Sequence, residues 1–103
     1  MAKDLSINEN LIKIFVATGM RPEEAKVLLY MLDVEDDAVV QSYAIRAATG
    51  MSQPQISRAF QGHIRRGWID GIKHLGYIRT KSVRAIKMEI LKSYRDVVAM
   101  ASI

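Results

Sequence analysis

Residues recur at helical spacing twice in the first third of the chain. In NENLIKIFVAT, Leu11, Ile12, Ile14, Phe15 and Thr18 fall three and four apart, and Gly19 suits the position just past a helix end. In RPEEAKVLLYMLDV, Pro22 fixes a helical φ in the first turn, where Glu23 and Glu24 complement the helix dipole. Ala25, Leu28, Leu29 and Leu32 then form an apolar stripe, and Glu35, Asp36 and Asp37 read as a solvated loop. Residues 38–41 suit a short strand or an extended lead-in. Ser42 can cap a helix over 43–49, with Ile45 and Ala48 facing inward and Gly50 ending it.

The next stretch, TGMSQPQISRAF, combines a turn with a second helix start. Ser52 and Gln55 form S-x-x-Q, a capping box in which each side chain satisfies a backbone N–H that the helix leaves unpaired. Pro54 falls in the first turn, where its missing N–H costs little. Ile56, Phe60 and Ile64 repeat at four and predict a buried face, and Gly67 stops the helix before Trp68. Two short helices joined by a tight glycine-containing turn have helix-turn-helix geometry.

Beyond that pair, WIDGIK reads as a strand. Ile86, Met88 and Ile90 alternate with Lys87 and Glu89, which predicts a second strand, so that residues 68–90 form a hairpin around a basic loop. Ser93 and Asp96 then open a last helix as another capping box. Val83, Ile86, Ile90, Tyr94, Val97 and Ala101 also fit a helical stripe; a turn at Leu75-Gly76 would then close the hairpin, and one long helix would finish the chain. Ser93 favours the two-strand reading, because serine caps well but is a poorer interior helix residue. The fold class is therefore mostly α with a small β-hairpin. It is one domain over 1–103, with acidic N-terminal helices in 1–37, the helix pair in 42–67, the hairpin in 68–90 and the last helix in 91–103.

Composition adds bounds. A length of 103 residues and an apolar half fit one globular domain, with no repeat and no low-complexity tract. No apolar run is long enough to cross a membrane, and the first ten residues lack the apolar core of a signal peptide. The absence of cysteine removes disulfides and thiolate sites and fits a cytoplasmic protein. Charge changes the picture more. Residues 1–37 hold four Lys/Arg against eight Asp/Glu, a balance of −4, whereas residues 38–103 hold eleven against three, a balance of +8. A basic half is the electrostatic footprint of a polyanion partner.

That footprint coincides with the outer face of the second paired helix. Gln53, Ser57, Arg58 and Gln61 lie away from Ile56 and Phe60, and Gln, Ser and Arg are side chains that reach base edges in a major groove. Arg65, Arg66, Arg79, Lys81 and Arg84 suit phosphates. Trp68 reads as a core anchor beneath the hairpin, and the methionines as core or interface filler. His63 reads as a helix residue packed beside Ile64 and His74 as a loop residue, neither as a ligand; no metal or cofactor motif and no catalytic constellation stands out.

The segment IRAATGMSQPQISRAFQGHIRRGWID resembles the helix-turn-helix of small prokaryotic, especially archaeal-type, winged-helix transcription regulators similar to the MarR, ArsR and TrmB families. GMRPEEAKVLLYML looks like their preceding helix, and RAIKMEILKSYRDVV like their second wing strand and final helix. The resemblance implies a homodimer on a roughly two-fold double-stranded DNA site, with no effector specified. It places Ser52, Gln53, Pro54, Gln55, Ser57, Arg58 and Gln61 at DNA-facing positions, and Arg79 and Lys81 at a wing tip. Two residues depart from it: Arg46 stands where these regulators carry a small residue, and Gly62 interrupts the recognition helix at about 1 kcal/mol relative to alanine. A winged-helix protein–protein adaptor and a non-specific nucleic-acid binder are the other readings, since fold does not fix function.

Overall fold

A computed structural model of the chain describes residues 5–101, with side chains from residue 10 onward. The start of the chain that lacks a signal-peptide core lies partly outside the described residues, as do the last two positions of the helix expected over 91–103. The order is α1 (Leu5–Ala17), α2 (Pro22–Leu32), α3 (Ser42–Thr49), α4 (Gln53–Arg65), β1 (Ile69–Ile72), β2 (Gly76–Arg79) and α5 (Val83–Ala101). The described chain is thus mostly helical with one small antiparallel hairpin, a layout compatible with the winged-helix expectation.

Local chemistry sets the turn between α3 and α4. Gly50 adopts the left-handed conformation (φ 72°) that glycine occupies at least cost, and its N–H bonds the Arg46 carbonyl at 2.8 Å. The Thr49 hydroxyl donates to the Ile45 carbonyl at 2.6 Å and accepts the Met51 N–H at 3.2 Å. The capping box then opens α4: Ser52 Oγ accepts the Gln55 N–H at 3.3 Å, and Gln55 Oε1 accepts the Ser52 N–H at 2.9 Å. Ser42, in contrast, is the first residue of α3 rather than its cap; Gln41 holds that position without a side-chain bond.

The hairpin is shorter than the alternation suggests. β1 pairs with β2 from Ile69↔Arg79 to Ile72↔Gly76, and the turn runs through Lys73 and His74, the latter at φ 67°. Residues 83–90 form no strand; they are the first turns of α5, and the hairpin ends at Arg79. Ser82 caps that helix, its Oγ accepting the Ala85 N–H at 3.1 Å, and Ser93 sits half-buried in its interior. The core decides the matter. Ile86 and Ile90 are four apart and both buried, whereas Met88, which a strand would place beside them, is 61% exposed. Of 38–41, Val40 alone pairs with the hairpin, exchanging two 2.8 Å bonds with Tyr77. Gly76 lets the chains pass there, since a Cβ on it would overlap the Val40 carbonyl.

The core joins Phe15, Met20, Val27, Leu28, Met31, Ile45, Ile56, Phe60, Ile69, Ile86 and Ile90. Phe60 stacks on Tyr77 with ring centroids 3.6 Å apart, which fastens α4 to the hairpin. Trp68 is buried, with its ring beside His63 and its Nε1 donating to Glu89 of α5. Three apolar expectations shift. Ile64 is exposed, and Ala59 and His63 take its place, because a strict repeat of four drifts off a 3.6-residue face. In α2, Val27 and Met31 are buried, while Leu29 and Leu32 are half-buried; Ala48 of α3 is exposed. No helix among the described residues is long and apolar enough to cross a membrane.

Candidate nucleic-acid interface

α4 is held from behind by a buried charged cluster. Glu24 of α2 is 4% exposed, and its carboxylate accepts the Arg66 guanidinium at 2.9 Å and the Arg21 N–H at 2.8 Å. Gly62 makes room for it, because a Cβ there would overlap the Glu24 carboxylate. His63, fully buried, bonds the Glu24 carbonyl through Nε2 at 2.8 Å, while Arg66 lies 3.5 Å from Nδ1. With Nε2 donating, both ring nitrogens are satisfied in the neutral form. Burial pushes the His63 pKa down, with the Arg66 charge adding to it against the bond to the Glu24 carbonyl. Burial pushes Glu24 up, but the bonds from Arg66 and Arg21 and the Arg66 charge outweigh it, so the carboxyl titrates below its usual range.

α4 itself carries no carboxylate. Ser52, Gln53, Pro54, Arg58, Gln61 and Arg65 are exposed, with Ser57 and Gln55 half-exposed. Gln53 Nε2 reaches Ser57 Oγ at 3.3 Å, one turn on. Ser52 and Gln55 are engaged in the cap, which leaves Gln53, Ser57, Arg58, Gln61 and Arg65 as the helix's outward reach.

Three of the expected phosphate contacts are placed otherwise. Arg66 is bonded to Glu24 and lies over the Trp68 ring, 5.7 Å from its centroid. Arg79 is not at the tip of the hairpin: its side chain is 4% exposed and donates to the Val34 carbonyl and to Asp36, each at 2.9 Å. Lys81 follows the hairpin and pairs with Glu89 at 2.6 Å, beside the bond from Trp68 Nε1 to the same carboxylate. The bonds from Lys81 and Trp68 hold the Glu89 pKa below its usual range. Arg84 is exposed near the start of α5. The acidic third is therefore not a separate lobe, since Glu24 and Asp36 anchor cations of the basic half.

The true tip is Lys73, His74 and Leu75, all exposed. Together with Ser42 and Tyr43 at the start of α3 and Gln53 of α4, they line an open cavity of about 650 Å³. The sequence carried this signal in GIKHLG, two strand-like runs around a Lys-His turn. A second strand at 83–90 would put the tip further downstream. No group of three or more His, Cys, Asp or Glu among the described residues is arranged to hold a metal ion. No family model, curated protein or solved structure matches this chain.

Proposed function

We propose that the chain is a winged helix-turn-helix regulator of transcription that binds double-stranded DNA in a sequence-specific manner. In this reading α3 and α4 are the helix-turn-helix, α4 enters the major groove and the hairpin is the wing. One observation carries it: α4 turns outward a face of Gln53, Ser57, Arg58, Gln61 and Arg65 with no carboxylate on the helix, while a buried cluster fixes the helix against α2. Gln and Arg offer paired donors and acceptors to base edges, and Lys73 at the wing tip offers a charge to the backbone. We assign no catalytic role. Pairing of two copies, needed to read a two-fold site, would use α5, where no described residue after Ile90 is buried and Leu91, Val97 and Met100 are exposed.

A second reading, a winged-helix adaptor that binds protein, gains from one finding. Arg58 faces outward, but Arg79 and Lys81 turn to carboxylates elsewhere, so the basic half does not present a single face. Selection from a pool of randomised duplexes separates the readings. Enrichment of a defined, two-fold repeated sequence supports the regulator. Retention without enrichment marks a non-specific binder, and no retention at low salt leaves the adaptor.

A further inference from the structure

The acidic third of the chain contributes one cation to the side of α4. Arg21 immediately precedes α2 in an extended conformation, and its side chain is 54% exposed. The guanidinium is loosely held: its Nε stands 3.7 Å from Glu24 Oε1, which already accepts the Arg21 backbone N–H. Glu24 Oε2 belongs to Arg66. An open depression of about 510 Å³ lies between Gly19 and Arg21 on one side and Gly62, Arg65 and Arg66 on the other, with Glu24 at its floor. Three arginines therefore line the depression beside one carboxylate: Arg66 is bonded to it, Arg21 keeps only the 3.7 Å approach of its Nε, and Arg65 is exposed. A smaller hollow of about 130 Å³ continues along the same flank to Gln55 and Arg58, but Glu23 lines it and lowers its positive charge.

We propose that Arg21 and Arg65 together hold a phosphate of the DNA backbone in the larger depression, on the flank of α4 away from the hairpin. The proposal rests on the DNA-binding reading. Guanidinium groups suit phosphate oxygens because their paired N–H donors match the anion's geometry. The depression is open, as a passing strand requires. Gln53 shares its cavity with Lys73 and His74, whereas Gly62 and Arg65 share theirs with Arg21, so the two sites lie on opposite flanks of α4. The duplex is then gripped from both sides of the helix that reads it.

The test is binding of the full chain to a fluorescent duplex across a salt series, for the unsubstituted protein, Arg21→Ala, Arg21→Lys and Lys92→Ala. Arg21→Ala weakens binding several-fold on any duplex sequence and lowers the salt slope by about one, the loss of one phosphate contact. Arg21→Lys restores the slope, and Lys92→Ala, on α5, leaves it unchanged. Should Arg21→Ala fold poorly, Arg21→Gln, which keeps the stem over Glu24, gives the same reading. Steep salt dependence in the unsubstituted protein with an unaltered slope in Arg21→Ala overturns this contact and leaves the function standing. If the unsubstituted protein binds no duplex, the functional reading falls and takes the contact with it.

Discussion

Arg65 and Arg66 are neighbours in sequence and opposites in circumstance. Arg66 caps the C-terminal end of α4 with its guanidinium on the buried Glu24 carboxylate; Arg65, about 100° away round the helix, is exposed with no carboxylate on its own helix. The contrast extends along all of α4. Its inner side, with Ile56, Ala59, Phe60, Gly62 and His63, is packed and its polar groups are bonded. Its outer side presents amide, hydroxyl and guanidinium groups to the surroundings. A helix that must present side chains in fixed positions gains from such a division, because support from behind limits how far the outer groups can wander.

Replacing each arginine breaks the comparison most sharply. Arg66→Ala strands a buried carboxylate, and because Arg66 keeps 28% of its side chain exposed, the cost falls at the low end for a buried pair, about 3 kcal/mol. Arg65→Ala changes stability by about 0.5 kcal/mol or less. Urea unfolding of the two variants checks both values; equal midpoints would show that Glu24 gains nothing from its partner.

Gly62→Ala tests the inner side by volume. Helix propensity alone favours alanine by about 1 kcal/mol. The added Cβ would overlap the Glu24 carboxylate, and such overpacking costs about 1–3 kcal/mol, so the variant is destabilised against its propensity. A raised unfolding midpoint would mean that the carboxylate has room to move. On the outer side, Arg58→Ala leaves stability unchanged and costs about 1–3 kcal/mol on a specific site if the guanidinium reads a base. A uniform loss on all duplexes makes it a phosphate contact, and no loss on any removes it from the interface.

The smallest effect is on pH dependence. The His63 pKa is lowered by folding, so its contribution is fully present above about pH 6.5 and is lost as pH falls through the interval down to its folded value. Glu24, also lowered, contributes above its ordinary range and loses that contribution as pH falls through its folded pKa. Both make acid destabilising, and His63 acts first. His63→Gln keeps a donor for the Glu24 carbonyl but cannot titrate, so unfolding curves between pH 7 and pH 5 show a flatter slope than in the unsubstituted chain. An unchanged slope would locate the acid sensitivity elsewhere.

Where local chemistry is dominant, the structure agrees with the sequence. Pro22, Gly50 and the Ser52–Gln55 box set the start of α2, the turn and the start of α4, because each acts within a few residues of itself. Two features were decided by distant partners. Residues 83–90 satisfy both a period of two and a helical stripe, and the choice turns on Ile86 and Ile90 facing a core that α1, α2 and α4 build. Likewise, nothing adjacent to Arg66, Arg79 or Lys81 says that Glu24, Asp36 and Glu89 will meet them; two of these pairs join residues more than forty apart. Gly62 shows the same limit. It reads as a helix weakness until the carboxylate beneath it is seen.

The most direct test of the account is fluorescence anisotropy of a mixed-sequence duplex with the unsubstituted chain and with Arg58→Glu/Arg65→Glu, each across a salt series. Binding by the unsubstituted chain is expected to weaken steeply with salt, and binding by the folded double variant to be nearly abolished. Equal binding by both would place any DNA contact away from the outer face of α4, and no binding by the unsubstituted chain at low salt would contradict a nucleic-acid function altogether.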